Sequence, residues 1–206
     1  MLSGRPHLSN EPSMSLIRIY MVFLLCNAVA FAGPFGLSKG MALSDFGGKA
    51  KKVDSINYVL TEVPSPNAHF KEYRIAISDT LGLGKIVAVG KTIDTNPHGD
   101  QMREEYEAVL DLLKRKYGRP EILEHLRSGS IWRDAGDWMM ALRTKERVLV
   151  AFWLKSEGCD LPDSLEAVAL EVVGLSRDKG FVTLSYEFDN WGAIVEEVKN
   201  VEKDSL

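Results

Sequence analysis

The chain predicts an α+β fold, an antiparallel sheet with one long helix packed across it. Three observations carry this expectation. Residues 101–117 form an amphipathic stretch with a start signal and a stop signal. Strand-like segments lie on both sides of it, and short turns rather than helices join them.

In the long helix Met102, Tyr106, Val109, Leu110, Leu113 and Tyr117 recur at spacings of three and four, which lays an apolar stripe along one face. Asp100 stands where a side chain accepts from orphan amides, and Glu104 and Glu105 sit where the helix dipole favours anions. Gly118 and Pro120 end the helix. The opposite face carries Arg103, Glu107, Asp111, Lys114 and Arg115, with Asp111 and Arg115 spaced for a surface pair.

Before this helix, Met41, Leu43 and Phe46 predict a short helix ended by Gly47-Gly48, and Lys49, Lys51 and Lys52 a solvated loop. Strands are expected at residues 58–63, 70–78 and 84–93; the last two alternate in period two and form a hairpin. Gly82 and Gly84 precede a strand, which excludes a dinucleotide-binding turn at that place.

After the helix, residues 130–133 read as a short strand and residues 137–142 as a helical turn. Val148 to Leu154 is apolar without alternation, as in a strand buried on both faces. Residues 167–175 and 181–188 form a second hairpin, and the alternation of Val182, Leu184, Tyr186 and Phe188 predicts one wetter side. Residues 190–199 read as a terminal helix bearing Trp191, Ile194, Val195 and Val198 on one face, with a frayed end from Val201. A helical piece closed by glycine precedes a run of strands twice, so two tandem halves, 33–98 and 99–206, are expected within a single domain, 33–206.

The first 32 residues read differently. Arg18 precedes the apolar run from Ile19 to Cys26, and Ala30-Phe31-Ala32 has the small-x-small form of a signal-peptidase site, predicting cleavage between Ala32 and Gly33. Either Met1 or Met14 is the start. A retained anchor fits less well, because the uncharged window 19–38 contains Asn27, Gly33, Pro34 and Gly36 where a span needs about 20 predominantly apolar residues. Leu25 before Cys26 disfavours lipidation. The expected location is therefore periplasmic or secreted, with no transmembrane segment after cleavage.

Once the leader is removed, Cys159 is the single cysteine, which excludes an internal disulfide. Its neighbours Glu157 and Asp160 oppose thiolate formation, so a structural thiol is expected. A formal net charge of −4 without a basic cluster lacks the footprint of a nucleic-acid binder.

Gly40-Met41-Ala42-Leu43-Ser44 and Leu113…Tyr117-Gly118-Arg119-Pro120 resemble the opening and close of the helix-plus-meander repeat in the β-lactamase inhibitor protein and in small outer-membrane assembly lipoproteins. Phe35-Gly36-Leu37 followed by Gly40-Met41 resembles the mature start of uncharacterised secreted bacterial proteins. The first copy lacks the closing proline, the second lacks the opening Gly-Met, and no lipid-attachment cysteine is in place. What the resemblance implies is a non-catalytic, protein-binding module of the envelope or the medium.

The search for chemistry yields little. His69, His98 and His125 have no partner at metal-ligand spacing, and no paired cysteines, calcium loop or nucleophile elbow occurs. No catalytic, cofactor or metal residue is assigned. The dense stretch Ile131–Met140 holds Trp132, Arg133, Asp134, Asp137 and Trp138, which form either a protein- or sugar-docking surface or a cover for the sheet. The expectation is an exported protein that binds a protein or envelope component and no nucleic acid. The alternative is an envelope hydrolase in which Asp134, Asp137 or His98 converge only in three dimensions.

Overall fold

A computed structural model describes Met1, residues 33–162 and residues 164–204 of the chain. Apart from Met1, the predicted leader, Ala32 included, lies outside the described residues. All described strands and helices belong to the compact unit Ala32–Leu206.

The fold is α+β, as predicted: among the described residues, one nine-stranded antiparallel sheet with three helices packed against it. The strands are β1 (Ala50–Lys52), β2 (Asn57–Leu60), β3 (Phe70–Ser78), β4 (Gly82–Gly90), β5 (Ile93–Asp94), β6 (Glu121–Leu126), β7 (Arg147–Leu154), β8 (Leu165–Gly174) and β9 (Lys179–Phe188). The helices are α1 (Asp100–Tyr117), α2 (Trp138–Arg143) and α3 (Trp191–Asp204). The sheet order is β1-β2-β3-β4-β9-β8-β7-β6, with β5 beside the start of β9. Two four-strand meanders thus meet where β4 pairs with β9, and α1 precedes the second of them. The expected hairpins are β3–β4 and β8–β9.

One face of the sheet holds the core. Tyr73, Ile75, Ile86, Ala88, Leu149, Trp153, Val168, Leu170, Leu184 and Tyr186 are buried there. The predicted stripe of α1, from Met102 to Tyr117, is buried on the same side. Phe35 closes one end: its ring meets Tyr73, Phe70 and Tyr186 edge-on at centroid distances of 4.8, 5.7 and 5.8 Å. At the other end Trp153 donates its indole N–H to the Gly118 carbonyl at 2.8 Å, which fixes the end of α1 to β7. The short 3-10 turn Leu43–Phe46 ends at Gly47 in the left-handed conformation, matching the expected short helix and its stop. Helix α3 meets the opposite, outer face. Ile194 is fully buried over Gly84, and the Lys85 ammonium lies 5.2 Å from the centre of the Trp191 ring.

Several expectations are corrected. Asp100 does not cap α1; Gly99 is the N-cap residue and has no side chain to offer. The oxygens come from upstream, where Thr95 Oγ1 accepts from the Gln101 amide and Asn96 Oδ1 from the Asp100 amide, while the Asp100 carboxylate accepts from Asn96 Nδ2 at 2.7 Å. Asp111 pairs with Lys114 rather than Arg115. Residues 50–52, expected as a loop, form β1, because the sheet edge tolerates exposed Lys51 and Lys52. Residues 130–133 are not a strand; Ser130 turns back to bond the Arg127 carbonyl. β6 was not predicted, and α3 continues through Val201 to Asp204.

Candidate binding surface

β7 holds the correction with functional weight. Its run from Val148 to Leu154 was expected to be buried on both faces. Leu149, Ala151 and Trp153 are buried against α1 and α2, whereas Val148, Val150, Phe152 and Leu154 keep partial exposure on the outer face. Side chains opposite one another across paired strands share a face, so the register extends this patch sideways. One row runs Leu123, Val150, Glu171 and Thr183 and ends at buried Val89; the next runs Glu121, Phe152, Ala169, Ser185 and Val87. Val173 and Phe181 pair at the end of β8–β9 and are also partly exposed. The wetter side predicted for β9 is this outer face.

Charge is sparse and uneven across the patch. Glu187 is neutralised by Lys85 at 2.7 Å and Glu72 by Arg74 at 2.6 Å. Among the described residues, Glu171 and Glu121 have no cation within salt-bridge distance. Burial of the Glu171 carboxyl against its apolar neighbours raises its pKa above the ordinary value, and Lys145 opposes this weakly from further off. A surface of aliphatic and aromatic side chains around a partly desolvated carboxylate is suited to a partner that is apolar and carries a cation.

The tryptophan stretch divides. Trp138 is buried, its ring lying on Gly99 and under the Arg103 guanidinium, 4.0 Å from the ring centre. It therefore belongs to the core and not to a docking surface. The cause is the 3-10 turn Ala135–Asp137, which sends the chain inward into α2. Trp132 is half-buried; Arg133, exposed, donates to the Ser130 carbonyl at 2.5 Å. Asp134 is exposed and Asp137 partly so. Gly136 lies close to the His98 ring. His98, Asp134 and Asp137 do not line the clefts beside Phe35, Phe46, Glu197, Glu171 or Trp191.

His69 has a partner that spacing did not indicate: its Nδ1 lies 2.8 Å from Glu105 Oε1 across the gap between the start of β3 and α1. Beside it is a cleft of about 250 Å³ walled by Asn67, Leu112 and Lys116 and floored by Tyr186. Burial first, and then the neighbouring Tyr117, push the Tyr186 hydroxyl well above its usual pKa, so it stays protonated. A histidine–glutamate pair at the rim of a shallow cleft holds the start of β3 to α1. Among the described residues no group of three or more His, Cys, Asp or Glu side chains gathers as metal ligands do. No described helix is long and apolar enough to cross a membrane.

Sequence reasoning missed β6, Glu171 and the one-sided exposure of β7; the unbroken apolar run of β7 was the signal that pointed there. Comparison with protein-family models, curated proteins and solved structures found no match.

Proposed function

We propose that this is an exported, non-catalytic module, periplasmic or secreted, that binds another protein through the outer face of β6–β9. The observation that carries this reading is β7. Its outward side chains are as apolar as its inward ones, yet they are left partly open to solvent. A strand with two apolar faces is stable in water when something covers both, and a contiguous apolar patch on a sheet commonly marks the place of a partner. The leader sequence supports export, and the Gly33–Leu37 segment that follows the expected cleavage site enters the fold at once, with Leu37 1% exposed. The resemblance to the helix-plus-meander repeat implies the same class of function.

The test pairs sequencing with capture. The exported protein should begin at Gly33. A Val150→Thr/Phe152→Thr double variant should fold with nearly unchanged melting and lose the partner that the unchanged protein retains from envelope extracts. Retention of the same partner by the double variant, or a full-length cytosolic protein, overturns the reading.

A further inference from the structure

We infer that the free edge of β6 receives an extended segment of a partner protein, alternating aliphatic and basic residues, as an added strand. This names the partner's chemistry and rests on the binding reading above. The two ends of the sheet are built differently. β1 is three residues long and presents exposed Lys51 and Lys52, features that discourage pairing with another chain. β6 has six residues, no lysine and no break in its register with β7, which is its one neighbour in the sheet among the described residues. Ile122 and Leu123 point to opposite faces and are 48% and 47% exposed. A strand laid along β6 covers both, and its main chain pairs with the free edge.

Charge selects the occupant. Glu124 is paired with Arg147 at 3.2 Å. Glu121 has no such cation among the described residues; the Glu157 carboxyl lies against it instead. Desolvation, and then this like-charged neighbour, raise the pKa of Glu157. A Lys or Arg opposite Glu121 relieves that repulsion; the aliphatic residue beside it lies over Ile122, and the next basic residue covers Leu123 with its alkyl stem. A second copy paired β6 to β6 is a poorer match, because β6 contains no lysine or arginine to place against Glu121, and the β1 edge of a second copy is only three residues long.

The experiment uses protein produced from the full chain and two capped peptides, one alternating valine with lysine and one alternating valine with glutamate. The lysine peptide should bind at least about fivefold more tightly, the scale of reversing one partly exposed ion pair. It should slow amide exchange within Glu121–Leu126, and not within Ala50–Lys52. Glu121→Lys, a change at an exposed position, should fold normally and reverse the peptide preference. Equal binding of the two peptides, no binding, or protection elsewhere overturns the inference. So does concentration-dependent protection of β6 in the protein alone with the mass of a dimer, which makes a second copy the occupant. If the peptides fail while partner capture still depends on Val150 and Phe152, strand addition is wrong and the face reading stands.

Discussion

The Arg103 guanidinium lies 4.0 Å from the centre of the Trp138 ring, and the same ring packs against Gly99. This stack joins α2 to the first turn of α1. Gly99 is in the left-handed region, φ 79°, and a Cβ there would come within 2.1 Å of the Trp138 ring. Trp138→Ala should cost about 3–5 kcal/mol through the cavity it leaves, and Arg103→Ala about 0.5–2 kcal/mol. Trp132→Ala, at a half-buried site, should cost less than Trp138→Ala. Denaturant unfolding of the three variants checks the order; a larger loss at Trp132 than at Trp138 contradicts it.

Adjacent residues on β7 should respond in opposite ways. Trp153 is fully buried and donates to the Gly118 carbonyl at 2.8 Å, so Trp153→Ala removes both packing and a bond to the end of α1. A loss of about 3–5 kcal/mol is expected. Phe152→Thr, on the outer face, should change stability by about 1 kcal/mol or less in the free protein. Equal losses at the two positions would mean that the outer face is packed in the free protein.

How much of this was legible in the sequence depends on what kind of signal each element carries. α1, β3 and β9 have long periodic patterns and were read with little error. β6 was not, because Ile122 is its one β-former among Glu, Leu and His, and an exposed edge strand needs no apolar alternation. The cap of α1 was misassigned because Asp100 looked like the acceptor, whereas the left-handed turn at Gly99 lets Thr95 and Asn96 reach the amides from upstream. Trp132 and Trp138 are close in sequence, but the intervening 3-10 turn sends one inward and leaves the other half-exposed. Periodicity revealed that β7 is apolar on both sides; only tertiary placement shows that its outer side lacks full cover.

Tyr106 has a buried hydroxyl with no acceptor among the described residues. Burial first, then Glu107 and Glu124, push its pKa up to about 12. Tyr106→Phe removes a desolvated polar group and keeps the ring, so stability should stay level or rise by up to about 1 kcal/mol. A clear loss in thermal unfolding would reveal an acceptor for that hydroxyl.

The docking of α3 should depend on acid. Glu197 accepts from Ser78 Oγ at 2.5 Å and from Thr80 Oγ1 at 2.7 Å, and these two bonds hold its carboxyl below the ordinary value of 4.5. A depressed folded pKa means the ionised form is favoured in the folded state. The contribution is therefore complete above about pH 4.5 and lost as pH falls through the folded value. Amide exchange in α3 should accelerate across that window in the unchanged protein, and in Glu197→Gln it should be faster at neutral pH with little further change. An unaltered pH profile in the variant contradicts the assignment.

Glu171 should show the opposite sign. Burial raises its folded pKa above 4.5, so between that value and the folded one the native state holds more protons than the unfolded chain. Stability from this group accordingly declines as pH rises through the window and stays level above it. More than a third of the residue is exposed, so solvent screening keeps the effect small. Glu171→Gln should flatten that decline and leave the free protein slightly more stable at neutral pH. The same change should weaken binding if the partner places a cation against this carboxylate on the outer face. A variant that is more stable and binds less well separates the two roles, and one that loses stability at neutral pH shows that Glu171 already has its counter-charge within the chain.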